Sequence, residues 1–296
     1  MPVTQAQPLR IEASRATLGE GMTIRRAMPT RQRRMIGAWC FLDHFGPVDV
    51  VTGAGMRVGP HPHIGLQTVS WLLQGEILHR DSLGYVQHIR PGQLNLMTAG
   101  RGIAHSEESP AGRPSGLHGA QLWIALPEPQ RHCDPAFDHY ADLPLMTHDG
   151  LRITLLAGEA LGERSPAKIH SPLVGLDLAA DGPVTVTLPL RAEFEYGALV
   201  LEGEVGVGGE ALAPGTLLYL DRGRSVLPLR TTGAARMLLL GGEPFAEDIL
   251  MWWNFVGRSK DEIVQVTRDW NAGRHFGEVR GYDGARLVAP LPPWTT

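Results

Sequence analysis

His61 and His63 stand two residues apart in GPHPHIG, and His105 and Glu107 repeat that spacing in IAHSEES. On an extended strand, a separation of two projects both side chains from one face. Two such strands can close three imidazoles and one carboxylate around a single metal ion. With neutral imidazoles and a divalent ion the charges sum as two minus one, a net +1. An octahedral ion would keep two positions open, enough for a bidentate substrate or for substrate plus dioxygen. A tetrahedral zinc would be filled by these four donors and left without a reaction position. The mixed nitrogen and oxygen set suits Fe, Mn, Co, Ni, Cu or Zn, and affinity order alone does not choose among them.

The elements that must hold these donors are strands. Between residues 59 and 110, alternating apolar runs such as TVSWLLQGEILHR and PGQLNLM are broken by Gly and Asp turns, a hairpin pattern. RDSLG (80–84) places Asp81 and Gly84 at turn positions. In TAGRGIAH, two glycines precede the second donor pair, permitting the close backbone approach that a loop folded over a metal site needs. Upstream, residues 8–28 read as strand-like. The run Arg31, Gln32, Arg33, Arg34 reads as a solvated turn, and the apolar MIGAWCFL ends at Asp43 and His44 with FGP as its closing turn. QLWIALP (121–127) is a further strand.

Residues 128–150, rich in Pro, His and Asp without periodicity, read as a linker. From 151 the β pattern resumes in LRITLLAG, VTVTLPL, GALVLEGEVGVGG, ALAPGTLLYLD and ARMLLLGG. LEGEV (201–205) echoes LQGEI (73–77), and APGTLLYL (213–220) echoes RPGQLNLM (90–97). A repeat of plan implies two similar β-barrels. The second copy has no HPH or HSE, and its His170 and His275 are isolated. Its apolar strands can bury a core without an ion, so its expected role is packing. Only 258–273 reads as helical: Ser259 and Glu262 fit a capping box, Ile263, Val266 and Trp270 share a face, and Gly273 suits the position after the end. Trp252 and Trp253 just before it are expected to pack on a barrel.

Six of the twelve histidines (His44, His61, His63, His79, His88, His105) fall between 44 and 105, a clustering that favours a site. His79 and His88 flank a predicted turn and are expected around the centre or in solvent, not on the metal. His44, beside Asp43, is expected to support the centre from outside. No P-loop, GxSxG elbow or cysteine zinc cluster is present. GVGGEA (206–211) lies between strand-like runs instead of opening a helix, which rules out a dinucleotide loop.

The 296 residues suffice for one large or two medium domains. A content of 43 % hydrophobic and 20 % charged residues describes an ordinary globular chain. Its 36 Gly and 23 Pro, set between short apolar runs, favour an all-β plan. The net charge of −4 gives no global field for nucleic acid or an anionic membrane. The opening MPVTQAQPLRIEAS lacks the apolar core of a signal peptide, and the longest uncharged apolar run is too short to span a bilayer. Cys40 and Cys133 have no CxxC spacing, and Cys40 in AWCFL suits a small buried apolar side chain. The expectation is a soluble cytoplasmic protein.

HPHIGLQTVSWLLQGEILHRDSLG and PGQLNLMTAGRGIAHSEESP resemble the metal-binding half of the pirin family, a branch of the cupins. RQRRMIGAWCFLDHFGP (31–47) extends the resemblance forward. MWWNFVGRSKDEIVQVTRDWNAG (251–273) is similar to the closing segment of bacterial pirin-like proteins, and about 112–250 match only loosely. The resemblance implies an all-β bicupin of two jelly-roll-like barrels with a short C-terminal helix: a metal-binding cupin domain at 1–130 and a cupin-like domain without ligands at 150–296. It implies His61, His63, His105 and Glu107 as ligands of one divalent ion per chain, and iron(II) as that ion. Many cupins place a glutamate ligand where this chain has Gln67, so the carboxylate falls to Glu107. Other pirins carry charged residues at Ile64 and Gln67; here a less polar pocket mouth is expected.

The implied activity is quercetin 2,3-dioxygenase. A flavonol would bind through its 3-hydroxyl, Glu107 would take the proton as catalytic residue, and dioxygen would cleave the ring with release of carbon monoxide. The resemblance also admits another class, a metal- or redox-dependent regulator that binds a transcription factor or a metabolic enzyme. Neither reading invokes direct nucleic-acid or membrane contact.

Overall fold

In the computed structural model, residues 7–50, 55–112 and 114–295 are described, and among them every regular element is a strand except one helix, Lys260–Asn271. The first six residues, part of the stretch read as lacking a secretory leader, lie outside the described residues. No helix is long and apolar enough to cross a membrane. Cα packing divides the chain into two units that interleave in sequence. One takes the stretch up to Arg15, Arg25–His44 and Asp142–Phe245; the other takes Ala16–Ile24, Phe45–Ala141 and Ala246 onward.

The first unit is built without histidine pairs. Its larger sheet runs, in spatial order, Leu9–Glu12, Thr216–Leu220, Glu195–Glu202, Ala235–Gly242, Leu173–Ala180, Leu151–Ala157 and Leu145–His148, and its smaller one Val184–Pro189, Val226–Thr231, Val205–Val207 and Glu210–Leu212. Alternate residues of both sheets, among them Leu155, Leu176, Val186, Val200 and Leu229, share one apolar core. On the other face of the larger sheet, buried charge is paired. Glu195 accepts from the Gly37 amide at 2.6 Å, from the Tyr219 hydroxyl at 2.7 Å and from Arg33. Arg33 also lies over the Tyr219 ring at 3.6 Å. The arginine run is thus not wholly solvated: Arg33 is recruited because a buried carboxylate needs a partner.

The second unit holds the candidate site between two sheets. One runs Arg57–His63, Ile103–Glu108, Ile77–Asp81, Val86–Ile89; facing strands, in the order Ala136–Tyr140, Leu94–Thr98, Leu66–Gln74, Gly116–Ala125, belong to a larger sheet. Two expectations are corrected here. Residues 128–150 are not a plain linker, since Ala136–Tyr140 pairs with Leu94–Thr98 and Leu145–His148 with Leu151–Ala157. Both are short edge strands, whose solvent-facing side lets polar residues interrupt the alternation. Nor does FGP close a turn: Trp39–Asp49 is one strand, with Asp43 buried because Arg26 forks onto it at 2.8 and 2.7 Å. Gly46 is what this strand requires, as a Cβ there would lie 2.1 Å from the Leu117 carbonyl at φ +80°.

The helix follows the expected chemistry. Ser259 Oγ accepts from the Glu262 amide at 3.2 Å, while Glu262 reaches back to the Arg258 amide at 2.8 Å. Ile263, Val266 and Trp270 bury against Ile64, Ala104, Phe255 and Phe276. Trp252 and Trp253 pack at the margin of that cluster, the Trp252 indole donating to the Pro290 carbonyl at 2.9 Å. The echoed turns LQGEI and LEGEV share a left-handed glycine, Gly75 at φ +92° and Gly203 at φ +69°.

Candidate metal centre

Strand pairing brings the two donor pairs together. His105 lies directly across from His61, whereas Glu107 lies across from Val58, so the register shifts between them. The extra residue sits in the Gly59–Pro60 stretch, where proline removes a ladder donor and a bulge is tolerated. The Gly59 carbonyl faces His61 Nδ1 at 2.9 Å. His63 Nδ1 faces another carbonyl, that of Asn254, at 3.1 Å. Carbonyls only accept, so both rings carry their proton on Nδ1 and keep Nε2 as the donor atom.

One nitrogen from each of His61, His63 and His105 lies within 4.8 Å of the others. His63 Nε2 and His105 Nε2 are 3.0 Å apart, and the ring centroids are 4.3 to 5.0 Å apart. All three rings are buried. Burial pushes His61 down to about 4. It holds His63 and His105 well below the usual imidazole range, with neighbouring histidine charge as a second cause. Three rings held neutral, two of them with defined lone pairs, are what a cation requires of its ligands.

Glu107 joins a second, adjoining group: its carboxylate and one nitrogen each from His79 and His105 lie within 4.8 Å of one another. The structure thus brings the three predicted histidines into one group and Glu107 into another that shares His105. Burial raises the Glu107 carboxyl. Ser70 Oγ lies 3.2 Å from its Oε1 and 3.0 Å from Gln121 Oε1. Trp123 meets His63 edge-on at 5.2 Å, and Phe137 stacks on His79 at 4.4 Å. Among the described residues both groups lie in this unit.

The other singled-out residues sit elsewhere or act differently. His88 pairs with Glu76 at 2.5 Å, and His275 faces the Arg101 carbonyl at 2.7 Å. Neither of these two groups contains His44 or His170. Gln67 alternates with Ser70 along its strand, so it faces the other way, and its Nε2 donates to Thr98 at 2.9 Å. Ile64 is buried in the helix cluster. The sequence places His79 around the centre or in solvent and Asp81 at a turn position, and does not join the two. In fact His79 Nε2 lies 3.0 Å from Asp81 Oδ2. The signal was present: His79 and Asp81 are themselves two apart on a strand, the spacing that marked the candidate donor pairs.

Residues 21–124 match the pirin family model and 174–277 that of the pirin C-terminal cupin domain. A Pseudomonas aeruginosa protein, provisionally named a quercetin 2,3-dioxygenase, is 56 % identical over 287 residues, 96 % of this chain and 90 % of its own length. The chain belongs to the pirin family. This pirin has two cupin domains and, among the described residues, one short helix. The crystal structure of a quercetin 2,3-dioxygenase from Acinetobacter baumannii matches it with a TM-score of 0.95 and 48 % identity, covering 98 % of this chain and 97 % of that one. A bacterial pirin from Escherichia coli, solved with nickel(II), shares the fold (TM-score 0.63, 19 % identity, 80 % of this chain and 100 % of that one).

The buried histidines set a pH dependence for the metal-free pirin. Once unfolded, the rings return towards the usual 6.5 and bind protons that the folded rings refuse. Stability therefore rises with pH, and is lost as pH falls through about 6.5 towards the folded values. Each ring contributes about 1.4 kcal/mol per pH unit inside its window. Glu107 acts oppositely, keeping a proton that the unfolded chain releases, but it is one group against three. Calorimetric melts of metal-free protein should therefore show the melting temperature dropping between pH 7.5 and 5.5; a flat profile would contradict the burial of neutral rings.

Proposed function

We propose that this pirin is a metal-dependent dioxygenase that opens the ring of a flavonol such as quercetin, with dioxygen as co-substrate. His61, His63, His105 and Glu107 hold one divalent ion, iron(II), in a metal-binding domain assigned to 1–130; the ligand-free cupin-like domain is assigned to 150–296. The observation that carries the reading is the knot of three buried neutral imidazoles with a buried carboxylate beside it. The likeness to the Acinetobacter enzyme supports the reaction class, and the donor set supports an ion with open positions. A bound ion would supply Lewis acidity, lowering the pKa of a coordinated hydroxyl.

The chain's own groups would manage the proton. Glu107, made more basic by burial, takes the proton of the flavonol 3-hydroxyl. Ser70 carries one hydroxyl proton and faces two acceptors. While Glu107 is ionised, Ser70 donates to it; once Glu107 is protonated it can donate to Ser70 Oγ, whose proton turns to Gln121. Both states of the carboxyl keep a partner, which lowers the cost of cycling between them. Trp123 and Phe137 add aromatic walls for a flat substrate. A cytoplasmic setting belongs to the same proposal, supported by two cysteines that remain thiols.

The test is anaerobic loading with iron(II) followed by oxygen-electrode assays with several flavonols. Oxygen uptake with quercetin is the expected result. Silence from metal-replete protein with every flavonol overturns the enzyme and favours the metal-dependent regulator. Metal analysis of protein from its native host tests the choice of iron.

A further inference from the structure

His61 and His63 each have Nδ1 tied to a backbone carbonyl. His105 stands on an inner strand of the sheet, between Arg57–His63 and Ile77–Asp81. Its Nδ1 faces His79 Nδ1 at 3.4 Å instead. An imidazole can accept or donate at that position, so His79 alone would leave the His105 proton undecided.

Asp81 decides it. Its Oδ1 accepts from the Leu83 amide at 2.9 Å and the Tyr85 amide at 3.0 Å, which stops the carboxylate from rotating. Its Oδ2 meets His79 Nε2 at 3.0 Å. A carboxylate only accepts, so His79 carries its proton on Nε2 and offers a lone pair at Nδ1. His105 must then donate from Nδ1, leaving its Nε2 lone pair facing His63 Nε2. Two lone pairs 3.0 Å apart repel unless a cation lies between them. Phe137, stacked on His79 at an interplanar angle of 17°, holds the ring plane.

We infer that Asp81 and His79 are positioning residues of the metal centre, a side-chain relay that fixes the His105 tautomer as two carbonyls fix those of His61 and His63. The inference rests on the metal-centre reading and not on the flavonol reading. Asp81→Asn is the informative substitution. Its Oδ1 can keep both turn amides, which puts an NH2 donor opposite His79 Nε2. His79 must then accept at Nε2 and donate at Nδ1, and His105 is driven to hold its proton on Nε2, the atom the metal needs.

Long-range 1H–15N NMR of metal-free protein reads His79 directly. The natural chain should show its proton on Nε2, and Asp81→Asn should move it to Nδ1, whether or not a metal later binds. Zn(II), used as a diamagnetic probe in competition with a chromophoric chelator, should bind Asp81→Asn about 10- to 100-fold more weakly. His79→Gln, whose amide oxygen can still accept from His105, should restore most of the affinity that His79→Leu loses. The inference is overturned by an unchanged His79 tautomer in Asp81→Asn, by equal losses in His79→Gln and His79→Leu, or by a Zn(II)-induced shift at His79 Nδ1 showing that this ring is itself a ligand.

Discussion

Replacing His61 and His63 together by alanine should abolish the binding of one divalent ion per chain and leave the protein folded. The two remaining proposed donors, His105 and Glu107, cannot hold a divalent ion against water. His79, next to both in the second group, is already engaged by Asp81 and His105. The cost to the fold is two small cavities, each worth roughly 1–3 kcal/mol. The apolar clusters around Leu72, Ile77 and Leu117 and around Phe255 and Trp270 are untouched. A thousandfold excess of metal over its dissociation constant should stabilise the natural chain by about 4 kcal/mol and the variant not at all. Elemental analysis and paired thermal melts decide it. A stoichiometry near two in the natural chain, or metal persisting in the variant, would mean that ligands exist outside the proposed set.

Glu107→Gln should separate holding the metal from doing the chemistry. The amide fits the same space and can still meet Ser70, but it cannot take a proton from a bound hydroxyl. If Glu107 is the base, flavonol-dependent oxygen consumption should fall by about 10²- to 10⁴-fold, with metal content reduced far less. The pH profile gives a second check, because the limb governed by a burial-raised carboxyl should vanish. Unchanged oxygen consumption with quercetin would remove Glu107 from the catalytic role.

The all-β plan and the donor pairs were legible because both obey the same period. HPH and HSE announce a shared face only if they lie on strands, and the alternating runs around them say that they do. The helix was legible for a similar reason: Ser259, Glu262, Ile263, Val266, Trp270 and Gly273 are all local signals. What stayed hidden depends on groups without a letter of their own or on distant pairing. The carbonyls of Gly59 and Asn254 fix two tautomers, yet any residue could supply them. The register shift opposite Glu107 is a property of two strands together. Ala136–Tyr140 is an edge strand whose partner decides its conformation, and Phe137 reaches His79 only through that pairing. The N-terminal strand Leu9–Glu12 completes a sheet by pairing with Thr216–Leu220, a contact that no local pattern encodes.

The Asn254 carbonyl that receives the His63 proton lies 191 residues further along the chain. During synthesis at about 5–20 residues per second, roughly 10 to 40 s separate the emergence of the two. Through that interval that carbonyl cannot fix the His63 ring, and its proton can sit on either nitrogen. The carbonyl that aims His63 Nε2 at the other imidazoles arrives only with the last sixth of the chain. A product truncated before Asn254 would carry all four proposed donors while lacking the constraint that aims one of them.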